Sequence, residues 1–375
     1  MTPRANGLRR LFWPSLLGCL FSLLSACAGT SRNAPPALDA IADAVKDDME
    51  DATARQLALA GFAAWIIDGK PAEAIALWDR ALEREEDIVA LYGRHEAARR
   101  ALDAGSMADS ALRICQRAPQ SPLCVIGLRA ISQILDQSPR LNATIERQGR
   151  ALLESGAMRG EAALWLRDIL AELDFRQGDI ASGRATLQDA GVVDRVSLLG
   201  PFSTRPHLDW ETAFAPEKGE LGGKGPLGSV TPRDIEAPAG ILAIPGEPAT
   251  GHVYYWAADV TVGEASRHAL IARGGSARVF IDGHLLLDRR AFDGFVTNAS
   301  GVEVDLSAGV HRLLVKVPRL SDAREIKISL GRVDGQKSGV TLAANGRDDV
   351  GNDARHVEFG LDAGKDLFVF YLSKG

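Results

Sequence analysis

The sequence predicts a multidomain protein that is α-helical first and β-stranded second: an N-terminal solenoid of helical repeats, then an antiparallel jelly-roll β-sandwich. Apolar residues recur at helical spacing from about residue 37 to 191, with few glycines inside the segments. Eight of the 17 prolines fall between residues 201 and 250, and short alternating strands separated by turn residues follow from 251. The 375 residues, 46% hydrophobic and 25% charged, suffice for two globular cores.

The charge distribution argues against nucleic acid as a partner. The net charge is −6, and the only charged residues among the first 27 are three arginines, so the remainder carries 40 basic and 49 acidic groups. Nucleic-acid phosphates attract basic surfaces, and this chain is acidic. We therefore expect no nucleic-acid partner.

The N-terminus has the layout of an export signal. Three arginines precede a mostly apolar run from Leu11 to Leu24. A membrane-spanning helix needs about 20 apolar residues, so this run is too short for one and has the length of the hydrophobic region of a signal peptide. Residues 1–26 are therefore predicted to be a signal peptide.

The stretch LSAC at residues 24–27 resembles the lipobox of bacterial lipoproteins, in which an aliphatic and two small residues precede an invariant cysteine. The resemblance implies that Cys27 is acylated and that its acyl chains hold the mature protein on a membrane. Because Ala28 replaces the aspartate that signals inner-membrane retention, the resemblance implies the outer membrane, with the protein facing the periplasm or the exterior. Residues 27–36 then form the lipidated cysteine and a flexible tether. The alternative is an ordinary secreted protein with a chance cysteine.

The helical half, residues 37–191, carries a motif that resembles a tetratricopeptide repeat. In GFAAWIIDGKPAEAIALWDRALE, small Ala74, bulky Trp78 and small Ala81 follow a glycine turn at the spacing that lets two helices pack closely. Later repeats are degenerate, and a plain helical bundle remains the alternative. The resemblance implies a solenoid whose groove binds peptides or proteins, so another envelope protein is the expected partner.

Two of the four cysteines, Cys115 and Cys124, bracket a proline-rich turn between two helical patterns. In an oxidising compartment this pair could close a small ring, which would stabilise the fold by roughly 2–3 kcal/mol. The alternative is a pair of small buried apolar side chains. The sequence leaves both open.

The β half begins with a Pro/Gly-rich connecting region, residues 192–250, which is expected to pack on the sandwich. Residues 251–340 form the predicted sandwich core, and residues 341–375 a partly ordered C-terminal segment. The motifs LLGPFS, SARVFIDGHLLLD and LSAGVHRLLVKV resemble the galactose-binding-like and protective-antigen-type sandwiches of large envelope lipoproteins. Such sandwiches often bind glycans, and some bind calcium, through loops at one end. The resemblance therefore implies a glycan as a second candidate ligand.

Five residues are the candidates for such a ligand site. Asp282, Asp288 and Asp293 lie in two loops and could gather around calcium, or could form turns. Trp210 and Trp256 could stack on a sugar ring, or could pack in the core. Calcium is the one ion that the resemblance allows, and no other cofactor is expected.

No motif for catalysis or zinc binding occurs in the sequence. The seven histidines form no H-E-x-x-H pair, and G-x-S-x-G is absent. We therefore expect no catalytic residue and no metal site. The leading hypothesis is a non-enzymatic, lipid-anchored scaffold for protein interactions. The alternatives are a carbohydrate- or peptidoglycan-binding module and a truncated relative of a longer envelope enzyme.

Overall fold

A computed structural model describes residue 45 and residues 49–135, 138–244, 251–290, 300–319 and 326–344. The predicted signal peptide, Cys27 with its tether, Asp293 and residues 345–375 lie outside these ranges. The described residues are helical first and then form antiparallel sheets, so the predicted order of secondary structure is confirmed. Within them, no helix is both long enough and apolar enough to cross a lipid bilayer.

Eight α-helices have bounds within the described residues. Thr53 opens the first with a capping box that includes Gln56, and the carboxylates of Asp87 and Asp103 accept backbone hydrogen bonds at the starts of two others. Pro71 opens another, where a missing N–H costs little. The helices are α1 (Ala54–Ile66), α2 (Pro71–Arg84), α3 (Ile88–Ala101), α4 (Ala104–Arg117), α5 (Pro122–Ile134), α6 (Asn142–Glu154), α7 (Gly160–Arg176) and α8 (Ile180–Asp189).

The first three helices pack around Trp78 of α2, which is fully buried. Gly61 of α1 and Gly93 of α3 both lie against its indole. A Cβ at Gly93 would stand 2.2 Å from Cε2 of the ring, and one at Gly61 would stand 2.5 Å from Nε1. The indole Nε1 donates to the carbonyl of Ala58 at 3.1 Å, and the ring of Phe62 lies 5.0 Å away. The helices approach this closely because two positions lack a side chain.

The strands of the described chain all follow α8. They are β1 (Arg195–Ser203), β2 (Gly223–Gly225), β3 (Gly228–Val230), β4 (Arg233–Glu236), β5 (His252–Val262), β6 (Ser266–Gly274), β7 (Ala277–Ile281), β8 (His284–Arg289), β9 (Ser300–Leu306), β10 (Gly309–Arg319), β11 (Ile326–Arg332) and β12 (Val340–Ala344). The large sheet has the order β4-β1-β5-β10-β7-β8, and β12 also pairs with β5. The small sheet has the order β11-β6-β9, and β2 pairs with β3 in a hairpin.

One hydrophobic core draws side chains from both larger sheets, so the sheets pack face to face. Val279 and Ile281 of β7 and Ile328 of β11 belong to it, in the alternation that the sequence predicts. The outer face of the large sheet is also covered, because Tyr255 and Phe280 form a second cluster with residues from the connecting region. The connecting region therefore packs on the strands.

The described residues separate into two compact units, divided between Leu123 and Cys124. Helices α6–α8 belong to the same unit as the sheets, whereas the change of periodicity in the sequence suggests a boundary near residue 191. Close packing accounts for this grouping. Leu164 of α7 lies against Gly331 of β11, where a Cβ would stand 2.3 Å from its Cδ2 atom. Periodicity indicates which elements form, and packing decides which of them belong together.

Candidate functional site

The first compact unit carries an open groove of about 660 Å³ on α2, α3 and α4. Helices α2 and α4 each pack against α3 and provide the two walls. Half-buried Leu82 is an apolar part of the lining, and Gly105 lines the groove at the N-terminal end of α4. The polar lining comprises Asp79, Glu83, Arg94, Ser106, Asp109, Ser110 and Arg113.

Both arginines of the groove are paired with carboxylates. Arg94 Nε lies 3.1 Å from Asp79 Oδ1, and Arg113 Nε lies 2.7 Å from Glu86 Oε1. Asp109 lies 3.5 Å from the same Arg113 guanidinium. Burial lowers the pKa of Arg113, but the hydrogen bond and attraction to Glu86, helped by Asp109, outweigh burial and raise this pKa above its ordinary value. Each guanidinium of the groove is therefore already paired with a carboxylate.

The carboxylates of the groove outnumber these arginines. Glu83 is exposed and forms no ion pair or hydrogen bond with any residue that the structure describes. Asp103, next to the lining, accepts hydrogen bonds from Ser106 Oγ at 2.6 Å and Ser106 N at 3.1 Å. The side-chain and backbone hydrogen bonds from Ser106 hold the pKa of Asp103 below its ordinary value. The groove therefore presents a surplus of negative charge at neutral pH.

A second, apolar pocket of about 170 Å³ lies against α1 and α2. Its lining is mostly apolar and also includes three charged residues: Val45, Met49, Ala60, Ala64, Ala76 and Leu77, with Asp68, Glu73 and Arg80. Residues 46–48, which separate Val45 from Met49 in the sequence, lie outside the described ranges.

The aspartates proposed for calcium do not converge. Asp282 lies at the tip of the β7–β8 hairpin, and Asp288 pairs with Arg278 at the other end of that hairpin. At about 3.3 Å per residue, the two aspartates are roughly 13 Å apart along the strands. Asp293 lies outside the described residues. Within the described part of the chain, no three His, Cys, Asp or Glu side chains group as metal ligands do.

Asp282 instead secures the hairpin turn. Its φ of 50° is left-handed, and its Oδ1 accepts a hydrogen bond of 2.8 Å from the backbone N–H of Arg312. Its Oδ2 lies 2.7 Å from Nδ1 of His311, and Nε2 of that buried ring lies 2.8 Å from the carbonyl oxygen of Ser307. Both ring nitrogens therefore lie within hydrogen-bonding distance of oxygen atoms. Asp282 therefore stabilises a turn, which is the alternative to calcium binding that the sequence allows.

The two candidate sugar-stacking tryptophans are buried. Trp210 is 2% exposed and Trp256 is 1% exposed. Trp210 Nε1 donates to Oδ1 of Asp288 at 3.0 Å, which ties the connecting region to β8. Trp256 lies in the core between the two sheets. Neither ring offers an open face to a sugar in this structure.

A buried charged cluster, which the sequence reading missed, lies on the outer face of the large sheet. Lys316 of β10 has no exposed side-chain area, and its Nζ donates to the carbonyl of Thr212 at 2.6 Å and to Oε1 of Glu217 at 3.1 Å. Tyr255 donates to the same Glu217 oxygen at 2.5 Å. Burial lowers the pKa of Lys316, although Glu217 opposes the shift, and burial with the Glu217 hydrogen bond raises the pKa of Tyr255. The cluster fastens the connecting region to the sheet.

Cys115 and Cys124 are both fully buried, and each is disulfide-bonded. Neither thiol is therefore available as a nucleophile. Cys27, the predicted site of lipidation, lies outside the described residues.

The described residues thus define a protein of helices followed by antiparallel sheets, with a polar groove on its first helices. No protein-family model matches the chain, and no curated protein matches it. A solved family 35 carbohydrate binding module from an environmental isolate is similar at 21% identity and a TM-score of 0.20, over 28% of this chain and 79% of that chain. A β-glucosidase from Kluyveromyces marxianus in complex with glucose is similar at 10% identity and a TM-score of 0.24, over 44% of this chain and 18% of that chain.

Proposed function

We propose that the protein is a non-enzymatic scaffold of the Gram-negative cell envelope, whose first helices bind another envelope protein. The observation that carries the proposal is the open groove on α2, α3 and α4. Its volume of about 660 Å³ and its polar lining suit a segment of polypeptide, because ionic and hydrogen-bonding side chains line a surface that solvent already reaches.

The packing around Trp78 supports a repeat architecture for these helices. Gly61 and Gly93 occupy corresponding places on α1 and α3 and both abut the same indole. We propose that α1–α4 form a degenerate tetratricopeptide-like solenoid, a class whose members work by presenting surfaces to proteins. We also propose that the two sheets belong to a jelly-roll β-sandwich.

The anchor is proposed from the sequence alone. The LSAC stretch makes Cys27 the acylation site, with residues 27–36 as a tether and the outer membrane as the location. Acyl chains gain about 0.8 kcal/mol per buried methylene, so several chains on one cysteine form a stable anchor.

Glycan binding is the less favoured alternative. Sugar rings stack on exposed aromatic faces, whereas Trp210 and Trp256 are buried. Calcium binding is likewise less favoured, because Asp282 and Asp288 lie at opposite ends of one hairpin.

Site-specific photo-crosslinking in living cells tests the scaffold function. A photoreactive residue replaces Glu83 in the groove of the full chain, and a matched control replaces the exposed Arg233 on β4. We expect Glu83 to yield a discrete crosslinked protein that the control does not yield. Crosslinks to no protein from Glu83, or the same products from both positions, would overturn the proposal.

A further inference from the structure

The groove has an asymmetric charge that points to the chemistry of its occupant. Three carboxylates and two guanidinium groups line it, and two further carboxylates lie directly beside the lining. Each guanidinium is within 3.1 Å of a carboxylate oxygen, so neither is available to a bound anion. The carboxylates are Asp79, Glu83, Glu86, Asp103 and Asp109.

The surplus carboxylates are accessible. Asp109 keeps 58% of its side-chain area exposed and Asp79 keeps 51%, and Glu83 is also exposed. Asp109 shares the cation Arg113 with Glu86, which is the nearer partner at 2.7 Å. A cation that enters the groove could therefore pair with these exposed carboxylates, and no buried ion pair would have to break first.

The shape of the groove suits an extended segment more than a compact ion. Glu83 lies on α2 and Asp109 lies on α4, and the two helices are the opposite walls. Leu82 adds an apolar contact for the stems of long side chains. Lysine and arginine combine such a stem with a terminal cation.

We propose that the groove on α2, α3 and α4 binds an extended segment of a partner protein that is rich in lysine and arginine. This inference rests on the proposed scaffold function and names the chemistry of the partner. The cations of the segment pair with Glu83 on one wall and with Asp109 on the other. The ion pair between Asp79 and Arg94 keeps that guanidinium from repelling the segment.

Fluorescence anisotropy with labelled peptides tests this directly on the full-length protein. The probe is an extended peptide with alternating lysine and leucine, and the matched peptide has glutamate in place of lysine. Glu83→Lys with Asp109→Lys reverses both walls, and Glu220→Lys with Glu264→Lys makes the same change in net charge at two exposed positions of the β half. Circular dichroism and thermal unfolding verify that both double variants are folded.

We expect the lysine peptide to bind the original protein and the control variant alike, and to bind the groove variant about tenfold more weakly, because two attractions become repulsions. Binding weakens with added salt, since the Debye length falls to about 10 Å at 0.1 M. Any of three results overturns the inference. The two double variants bind the lysine peptide with equal affinity, the original protein binds the glutamate peptide as well as the lysine peptide, or the original protein does not bind the lysine peptide at about 1 mM. If Glu83 still crosslinks a discrete protein in cells, the scaffold function stands and its partner is not a basic segment.

Discussion

Asp168 of α7 accepts a hydrogen bond of 2.9 Å from Arg273 of β6, and its other oxygen pairs with Lys327 of β11. One carboxylate thus joins a helix to two neighbouring strands of the small sheet. The three side chains are 12–19% exposed. Burial raises the pKa of Asp168, but the two cations outweigh burial and hold this pKa below its ordinary value. The contact explains why α7 lies in one compact unit with the sheets.

Replacing this carboxylate should destabilise the protein strongly. Asp168→Asn leaves Arg273 and Lys327 largely buried without a counter-charge, and we expect a loss of about 2–4 kcal/mol in the free energy of unfolding. Urea denaturation at pH 7 measures it. The control is Asp305→Asn in the same sheet, which removes a pair with the half-exposed Arg267 and should cost about 0.5 kcal/mol. Equal losses for the two variants would show that burial of the pair is unimportant.

The same pair makes stability depend on acid. Because the pKa of Asp168 is lower in the folded than in the unfolded chain, its contribution is fully present above the unfolded pKa of about 3.9. It is lost as the pH falls through the lower folded pKa. The difference in unfolding free energy between the original protein and Asp168→Asn should therefore be large at pH 7 and should shrink below about pH 4. Urea titrations at several pH values measure it, and a difference that is constant with pH would contradict this assignment.

The sequence could predict α7 as a helix but not this contact. The apolar stripe that includes Leu166, Ile169 and Leu170 defines the helix. From the sequence, Asp168 would be expected to be an ordinary solvated residue between these apolar positions. Its partners Arg273 and Lys327 lie more than 100 residues away, and only the folded sheet brings them together. The two units divide after Leu123, at the end of the proline-rich turn between Cys115 and Cys124, and nothing in the sequence distinguishes this turn as a unit boundary from the other breaks between helices.

The close packing on Trp78 leads to a prediction about two glycines. A methyl group at Gly93 would stand 2.2 Å from the buried indole, so Gly93→Ala should cost about 2–3 kcal/mol through overpacking. Gly105→Ala is the control, because the nearest atom to its Cβ would be 3.5 Å away. Alanine also favours the helix by up to about 1 kcal/mol over glycine, so the control should be neutral or stabilising. Thermal unfolding compares them, and a tolerated Gly93→Ala would contradict the packing.

On the outer face of the large sheet, the sequence pattern does not predict which residues are buried. In β10, Leu313, Val315 and Val317 alternate along the strand, and all three lie in the core. The same alternation places Lys316 on what the sequence suggests is a solvent face, and the structure buries that residue beneath the connecting region. Similarly, the sequence suggests that Glu83 and Asp109 lie on solvated faces of their helices. It does not show that they line one groove, because the groove forms only when α2 and α4 pack against α3. The connecting region is rich in proline and glycine, so no periodicity predicts where it lies.

Glu217 is predicted to be the residue on which the buried lysine depends. Glu217→Gln removes the counter-charge of Lys316, and the lost pairing should cost about 2–3 kcal/mol. Its neighbour Glu220 is exposed, so Glu220→Gln should change stability by less than about 0.5 kcal/mol. Urea denaturation at pH 7 compares the two variants. If both are neutral, the connecting region is not held to the sheet by this pair.

The proposed anchor makes a prediction about two cysteines near the N-terminus. Metabolic labelling with a palmitate analogue in a Gram-negative host should label the original protein, because Cys27 follows the lipobox-like Leu24-Ser25-Ala26. Cys27→Ser should abolish the label and release the protein from the membrane fraction. Cys19→Ser should keep the label, since Cys19 lies within the predicted signal peptide and leaves with it. Label that persists in Cys27→Ser would contradict the anchor, and label lost in both variants would point to a failure of export instead.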